Sequence, residues 1–173
     1  MNLITLEQNT DSDAIEILLD QAFGPGRRSK ISYGYRVGIE RIAALCLVAR
    51  DGDTPQSELI GTIRYWPIAI GRSPALLLGP VAVLAERQSE GLGGRLIRTS
   101  LDLAAGLGYR AVLLVGDESY YGRFGFHPAS RYGAVMPREN AARVLALSLD
   151  RDQPDEFPSG LVRPWRSVRR VAA

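Results

Sequence analysis

Cysteine and histidine occur once each in the 173 residues, as Cys46 and His127. A lone thiol excludes an internal disulfide, so a reducing compartment is the simpler setting. With one imidazole and one thiol there is no Cys-His nucleophile pair and no plausible metal set. Cys46 lies within Ala43-Ala44-Leu45-Cys46-Leu47-Val48, an apolar context that reads as buried filler. His127 directly follows Phe126 and reads as a surface or strand-end residue. No uninterrupted apolar run reaches the ~18 residues of a membrane span. Met1-Asn2-Leu3-Ile4-Thr5 has no basic segment leading into an apolar one, as a secretory signal would. The expectation is a soluble, cytoplasmic protein. Charge of one sign is also lacking: the net value is +2, too small to argue for nucleic acid or a membrane surface. The one basic cluster, Arg163, Arg166, Arg169 and Arg170, reads as a solvated terminus, with weak binding to an anionic patch as the alternative. Internal repeats, low-complexity tracts and linkers are absent.

What is present is ordinary globular material, 46% hydrophobic and 23% charged, enough for one domain with a real core. Residues 2–7 suit a strand. Thr10, Asp11 and Ser12 suit a helix start, with a loose capping-box arrangement from Thr10 to Asp13. Ile15, Leu18, Leu19 and Ala22 recur at helical spacing and predict a helix over 12–23, stopped by Gly24-Pro25-Gly26. Arg27 to Arg41 reads as a short helix and loop that either lines a substrate site or only connects. Strands are predicted at 43–50 and 58–65, with Pro67 interrupting and Ile68 to Ile70 continuing into the turn Gly71-Arg72-Ser73-Pro74. Ala75 to Leu84 is the most apolar run, and Gly79-Pro80 marks a bulge or splay in it. A helix follows with Leu92, Leu96, Ile97, Leu101, Ala104 and Leu107 on one side. Ala111 to Val115 is a buried strand, Glu118 to Arg123 one or two helical turns, and 134–136 and 144–149 closing strands. The tail after Asp150 reads as extended surface.

Between that apolar run and that helix stands Gln88-Ser89-Glu90-Gly91-Leu92-Gly93-Gly94-Arg95. A glycine-rich turn between strand and helix points bare backbone N–H groups at one spot, which favours an anion such as a pyrophosphate. Three phosphate-binding designs compete. A Walker loop requires Gly-Lys before Ser or Thr, and no Gly-Lys pair occurs in the chain. A dinucleotide fold requires Gly-x-Gly-x-x-Gly after the first strand and an acid ~20 residues on. Here Leu96 stands where the third glycine belongs, and apolar residues near Ala111 where the acid belongs. The third design is Gln/Arg-x-x-Gly-x-Gly/Ala behind a strand with an internal proline, and Gln88 to Gly93 behind Gly79-Pro80-Val81-Ala82-Val83 fits it.

That loop resembles the coenzyme A loop of the GCN5-related N-acetyltransferase (GNAT) superfamily. Tyr120-Tyr121-Gly122-Arg123-Phe124-Gly125-Phe126 is similar to the family's Tyr-x-x-x-Gly-Phe motif. Together with Ala22 to Arg27 and Val115-Gly116-Asp117, the pattern resembles the bacterial YhbS-like branch, over about residues 3–150. The resemblance implies an α/β (α+β) fold with a mixed, mostly antiparallel sheet splayed between its fourth and fifth strands and flanked by helices. It implies a catalytic domain over 1–150, with 151–173 as an extension packed on or trailing from it.

The implied activity is acetyl transfer from acetyl-CoA to an amine by direct attack in a ternary complex, without a metal. The backbone of Val81, Ala82 and Val83 would pair with the pantetheine arm, and a strand amide near Val81 would polarise the thioester carbonyl. Gln88, Ser89, Gly91, Leu92, Gly93 and Gly94 would hold the pyrophosphate. Tyr121, four residues before Gly125, would be the general acid and a cofactor contact, with Tyr120 as the fallback. A phenol of pKa about 10 still carries its proton at neutral pH. The base is the weak point, because no acid lies between Leu59 and Leu84 and Glu58 stands at a strand edge. Asp117 is the candidate for base or amine attraction, or else caps the next helix. Leu114 stands where the family often carries Asn. The acceptor, a small amine or a peptide or protein amine, would meet residues 24–36, the strand ends and Asp117. No nucleic acid or membrane partner is expected, and the chain would be a monomer or homodimer. The alternative is an acyl-CoA-binding sensor or regulatory module without turnover.

Overall fold

The computed structural model describes residues 2–165; Arg166, Arg169 and Arg170 of the basic cluster lie outside them. The first half is an antiparallel meander: β1 (Asn2–Leu6), β2 (Leu47–Asp51), β3 (Glu58–Ile70) and β4 (Ser73–Val83), each paired with the next. Between β1 and β2 lie α1 (Ser12–Phe23) and the short α2 (Ile31–Gly34). After β4 come α3 (Leu92–Gly106), β5 (Ala111–Val115), α4 (Glu118–Tyr121), β6 (His127–Pro128), β7 (Ala134–Val135), β8 (Val144–Ser148) and β9 (Gly160–Pro164). The strand order is β1-β2-β3-β4-β5-β8-β6, and the β4–β5 pair is parallel while its neighbours are antiparallel. The mixed, mostly antiparallel sheet expected from the resemblance is therefore present. No helix among the described residues is long and apolar enough to cross a membrane.

Alternation along the strands sends side chains to two cores, one on each face of the sheet. On one face α3 lays Leu92, Leu96, Ile97, Leu101 and Ala104 against Leu47, Ala49, Tyr65, Leu76 and Leu78. On the other, α1 sets Ile15, Leu18 and Leu19 against Val48 and Ala82. Each leucine, isoleucine or valine among them, taken fully out of water, stabilises by about 1.5–3 kcal/mol. Leu107, expected on the buried side of α3, lies past its end and is 56% exposed.

Four further expectations are corrected. The strand expected at 43–50 begins only at Leu47, because Ala43–Leu45 form a 3-10 turn closed by Cys46 N–H to the Ala43 carbonyl. Pro67 does not interrupt β3. It pairs in register with Leu76, at a point where β9 has not yet joined the other edge, so a missing N–H is tolerated there. The capping arrangement lies earlier than Thr10 to Asp13. Asp11 Oδ2 accepts from Gln8 N–H at 2.8 Å and its other oxygen pairs with Arg50, leaving α1 without a side-chain cap. Finally, the tail is not all surface. Gly160–Pro164 pairs with both β3 and β7, and Val162 is buried against Ile68 and Ile70.

Candidate active site

The cleft arises from one irregularity in β4. Ile63 pairs with Val81 and Tyr65 with Leu78, so Gly79 and Pro80 together stand opposite the single residue Arg64. This is the bulge that Gly79-Pro80 predicts. On its other edge β4 pairs with β5 only at Leu76–Val112 and Leu77–Leu113. Beyond Leu77 the two strands part, as expected for the splay. A cleft of about 550 Å³ opens between Leu77–Val81 and Leu114–Asp117, walled by Tyr120 and Tyr121 and covered by Ser29–Tyr33 and Arg36. Leu114 is buried, so its side chain offers the cleft no hydrogen bond.

The glycine turn meets this cleft through Tyr120, a wall residue whose hydroxyl lies beside Gly93. Ala85–Glu90 form a 3-10 turn, and Gly91, at φ 71°, caps α3. Arg87 ties the turn to the sheet edge by pairing with Asp51 and Glu90. Gln88 Nε2 donates to the Val83 carbonyl at 3.3 Å, holding the loop against the end of β4. The first amides of α3, at Leu92, Gly93 and Gly94, have no acceptor within the helix, and the helix dipole makes this end attractive to an anion. Space there depends on Gly93. A Cβ on it would lie 3.1 Å from the Tyr120 hydroxyl and 3.7 Å from Val83 Cγ2. Gln88, Ser89 and Gly91 are solvent-exposed and Leu92 faces the core.

Adjacent tyrosines on α4 point to different places. Tyr120 is 37% exposed and brings its hydroxyl to Gly93. Tyr121 is turned inward, its ring edge-to-face with Tyr120 at 4.9 Å and with Phe126 at 6.1 Å. Burial, reinforced by Tyr120 and Asp117, pushes its phenol up to about 12. Asp117 stands at the cap position of α4, and its carbonyl accepts from the N–H groups of Tyr120 and Tyr121. Its carboxylate does not cap the helix; it meets Arg143 Nε at 3.2 Å. Glu139 is the other carboxylate lining the cleft.

His127 lies outside the cleft, 3.9 Å from Glu118. Cys46 is fully buried, and burial pushes its thiol up to about 11, the state of an inert filler. Glu58, opposite Asp51 at the start of β3, is exposed and away from the cleft. Among the described residues no group of three or more His, Cys, Asp or Glu side chains could hold a metal.

A cluster of buried charge under the cleft was not foreseen. Arg64 pairs with Glu7 at 2.8 Å and with Glu16 at 2.9 Å, and Glu16 also takes Arg27 and Arg28. Glu7 holds Arg41 as well, and Asp20 holds Arg27. Next to them Arg36 stacks on the Tyr33 ring at 4.3 Å. The readable signal was Arg64 itself, a charge inside an otherwise apolar strand segment. Nothing local marked Arg36.

Known proteins agree with this geometry. The model of the acetyltransferase (GNAT) family matches residues 13–126. The chain is 30% identical over 132 residues to the uncharacterized N-acetyltransferase YhbS of Escherichia coli K12, covering 75% of this chain and 76% of that one. The crystal structure of E. coli YhbS in complex with CoA superposes with a TM-score of 0.80 at 25% identity, covering 99% of this chain and 93% of that one. A GNAT family acetyltransferase from Brucella melitensis, solved in complex with acetyl-CoA, gives a TM-score of 0.68 at 29% identity over 94% and 95% of the two chains. With the family model spanning most of the fold and a relative 30% identical over three quarters of both chains, this chain belongs to the GNAT acetyltransferase family.

Proposed function

We propose that this protein transfers an acetyl group from acetyl-CoA to the nitrogen of an amine. The observation that carries the reading is the gap between β4 and β5, which opens beside the N-terminus of α3 and has the Tyr121 phenol in its wall. The relatives solved with CoA and with acetyl-CoA support the choice of donor. The donor's pyrophosphate would rest on Gln88, Ser89, Gly91, Leu92, Gly93 and Gly94, its charge met by the helix end. Its pantetheine amides would pair with the backbone of Val81, Ala82 and Val83 on the edge of β4 that β5 leaves unpaired, displacing Gln88 from the Val83 carbonyl.

Chemistry then follows from position. The amine nitrogen attacks the thioester carbon while a strand amide at Val81 stabilises the charge growing on oxygen. The C–S bond breaks, the thiolate takes the proton of Tyr121, and the proton lost by the attacking nitrogen returns through solvent to the Tyr121 phenolate. Burial keeps Tyr121 protonated at any ordinary pH, so at rest it can give a proton but not take one. Asp117 is the candidate to draw an ammonium to the cleft and to accept its proton. Its pairing with Arg143 makes attraction the better-supported half of that role.

The catalytic domain is taken as residues 1–150, with 151–173 as an extension whose β9 pairs with β3 and β7. The protein is taken as a cytoplasmic monomer or homodimer. A second reading, an acyl-CoA sensor without turnover, draws on the engaged state of Asp117 and the absence of any carboxylate on β3 and β4 between Leu59 and Leu84. Thiol release from acetyl-CoA over a panel of amines and peptides separates the two. Release that depends on an amine and falls with Tyr121→Phe upholds the enzyme. Coenzyme A binding with no release by any amine replaces it with the sensor.

A further inference from the structure

Arg36 lines the cleft beside Gly79 on β4, and its charge is not matched. Its Nε and Nη1 are buried without a hydrogen-bond partner. Burial, with Arg27 and Arg64 nearby, outweighs the opposing interaction with Tyr33 and pushes the guanidinium down to about 10. The carboxylates on that side are already engaged: Glu16 by Arg27, Arg28 and Arg64, Glu7 by Arg41 and Arg64, and Asp20 by Arg27. Five guanidinium groups, Arg36 included, thus share three carboxylates. The cleft shows the same imbalance, with Lys30, Arg36 and Arg143 facing only Asp117 and Glu139. A buried cation without a counter-ion is costly, and a fold keeps one where a bound group supplies the missing charge.

Coenzyme A is a poor source of that charge. Its pantetheine arm is uncharged, and its pyrophosphate belongs at Gly91–Gly94. Arg36 Nη2 instead approaches Gly79, 3.5 Å from where a Cβ would stand on it. Gly79 precedes Val83 by four strand residues, ~13 Å along the chain, so Arg36 sits near the reacting end of the cleft and away from the phosphates. Extending the acetyltransferase reading, we propose that Arg36 selects the acceptor: an amine bearing a carboxylate a few atoms from its nitrogen, a free amino acid in chemical class. The acceptor carboxylate pairs with Arg36, as guanidinium and carboxylate do with strong, directional hydrogen bonds. Its ammonium end is left facing Asp117. A protein N-terminus, whose α-carboxyl is an amide, lacks the matching group.

The experiment uses matched pairs that differ only in the carboxylate, phenylalanine against phenethylamine and lysine against cadaverine, with thiol release from acetyl-CoA as the rate. The wild type is expected to favour the amino acid of each pair by about 10- to 100-fold in kcat/KM, mostly through KM. Arg36→Gln is expected to bring the ratio to about one, and Arg36→Lys to restore part of it. A second readout needs no turnover. With CoA present, the amino acids should raise the melting temperature of the wild type and not that of Arg36→Gln. Turnover with no preference for the carboxylate, or a preference that survives Arg36→Gln, overturns the proposal and leaves the acetyltransferase reading standing. Arg36-dependent binding without thiol release upholds this inference and overturns that reading. If Arg36→Gln does not fold, the wild-type ratio and Arg36→Lys decide.

Discussion

The ring of Tyr121 lies directly over Gly116: a Cβ built on Gly116 would fall 2.8 Å from Tyr121 Cδ2 and closer still to Cε2. The residue that ends β5 therefore sets where the phenol can sit. Gly116→Ala is expected to destabilise the protein by about 1–3 kcal/mol through overpacking and to displace Tyr121 from the cleft. The measurable outcome is a kcat at least about tenfold lower with the CoA dissociation constant little changed, since the glycine turn is untouched. An unchanged kcat would show that the ring's position is immaterial.

Tyr121→Phe removes the proton donor without changing the packing of the ring. The expected loss in kcat is about 10²–10⁴-fold, the usual contribution of a positioned acid. Because burial pushes the phenol up to about 12, wild-type kcat should show no fall on the alkaline side up to about pH 10 that belongs to Tyr121. A steep loss between pH 8 and 9 that disappears in Tyr121→Phe would contradict this.

Burial acts on folding through the same group. A phenol whose folded pKa lies above its unfolded value of about 10 contributes stability that is whole below pH 10 and lost as pH rises toward 12. Tyr65 shifts in the same direction, again by burial, with its hydroxyl 2.9 Å from Ser100. Denaturation midpoints should fall above pH 10, and the double variant Tyr65→Phe, Tyr121→Phe should flatten that fall.

Glu16 gives the acid counterpart. Burial opposes its ionisation, but hydrogen bonds from Arg27, Arg28 and Arg64 outweigh burial and hold its carboxyl down to about 2. A depressed folded pKa contributes stability that is present above about pH 4.3 and lost as pH falls through about 2. Urea midpoints between pH 5 and 2 should drop less steeply in Glu16→Gln than in the wild type, from a lower starting value at pH 7.

At the anion cradle, Gly93→Ala should weaken CoA binding. Its Cβ would meet the Tyr120 hydroxyl at 3.1 Å and crowd the amides that face the pyrophosphate. Titration is expected to give at least about a tenfold higher dissociation constant, the cost of ~1.4 kcal/mol. Gly91→Ala tests backbone conformation separately. Nothing lies near its Cβ, but φ is 71°, so the loss should be in stability, about 1 kcal/mol.

Local patterns in the chain reached far into the fold. The 3.6-residue spacing of Ile15, Leu18 and Leu19 places α1 at 12–23 as observed, and the run Ala111 to Val115 gives β5 its bounds. Gly79-Pro80 announces the bulge because neither residue suits an uninterrupted inner strand. Where reading failed, a distant partner was responsible. Pro67 is tolerated because of where β9 joins, and residues 160–164 become a strand only because β3 and β7 leave edges for it.

The sequence alone determined the elements proposed to hold the donor: a glycine turn between strand and helix and a tyrosine motif after the next strand. Their chemistry is built from neighbours in the chain, and backbone amides need only the right local turn. Tertiary structure decided the side proposed for the acceptor. Arg36, Glu16, Arg64 and Asp117 come from four separate segments, and Arg36 is notable only because Glu7, Glu16 and Asp20 are already engaged by other arginines while two of its own nitrogens are buried without a partner. Charge balance is a sum over groups brought together in space, and that sum exists only once the chain has folded.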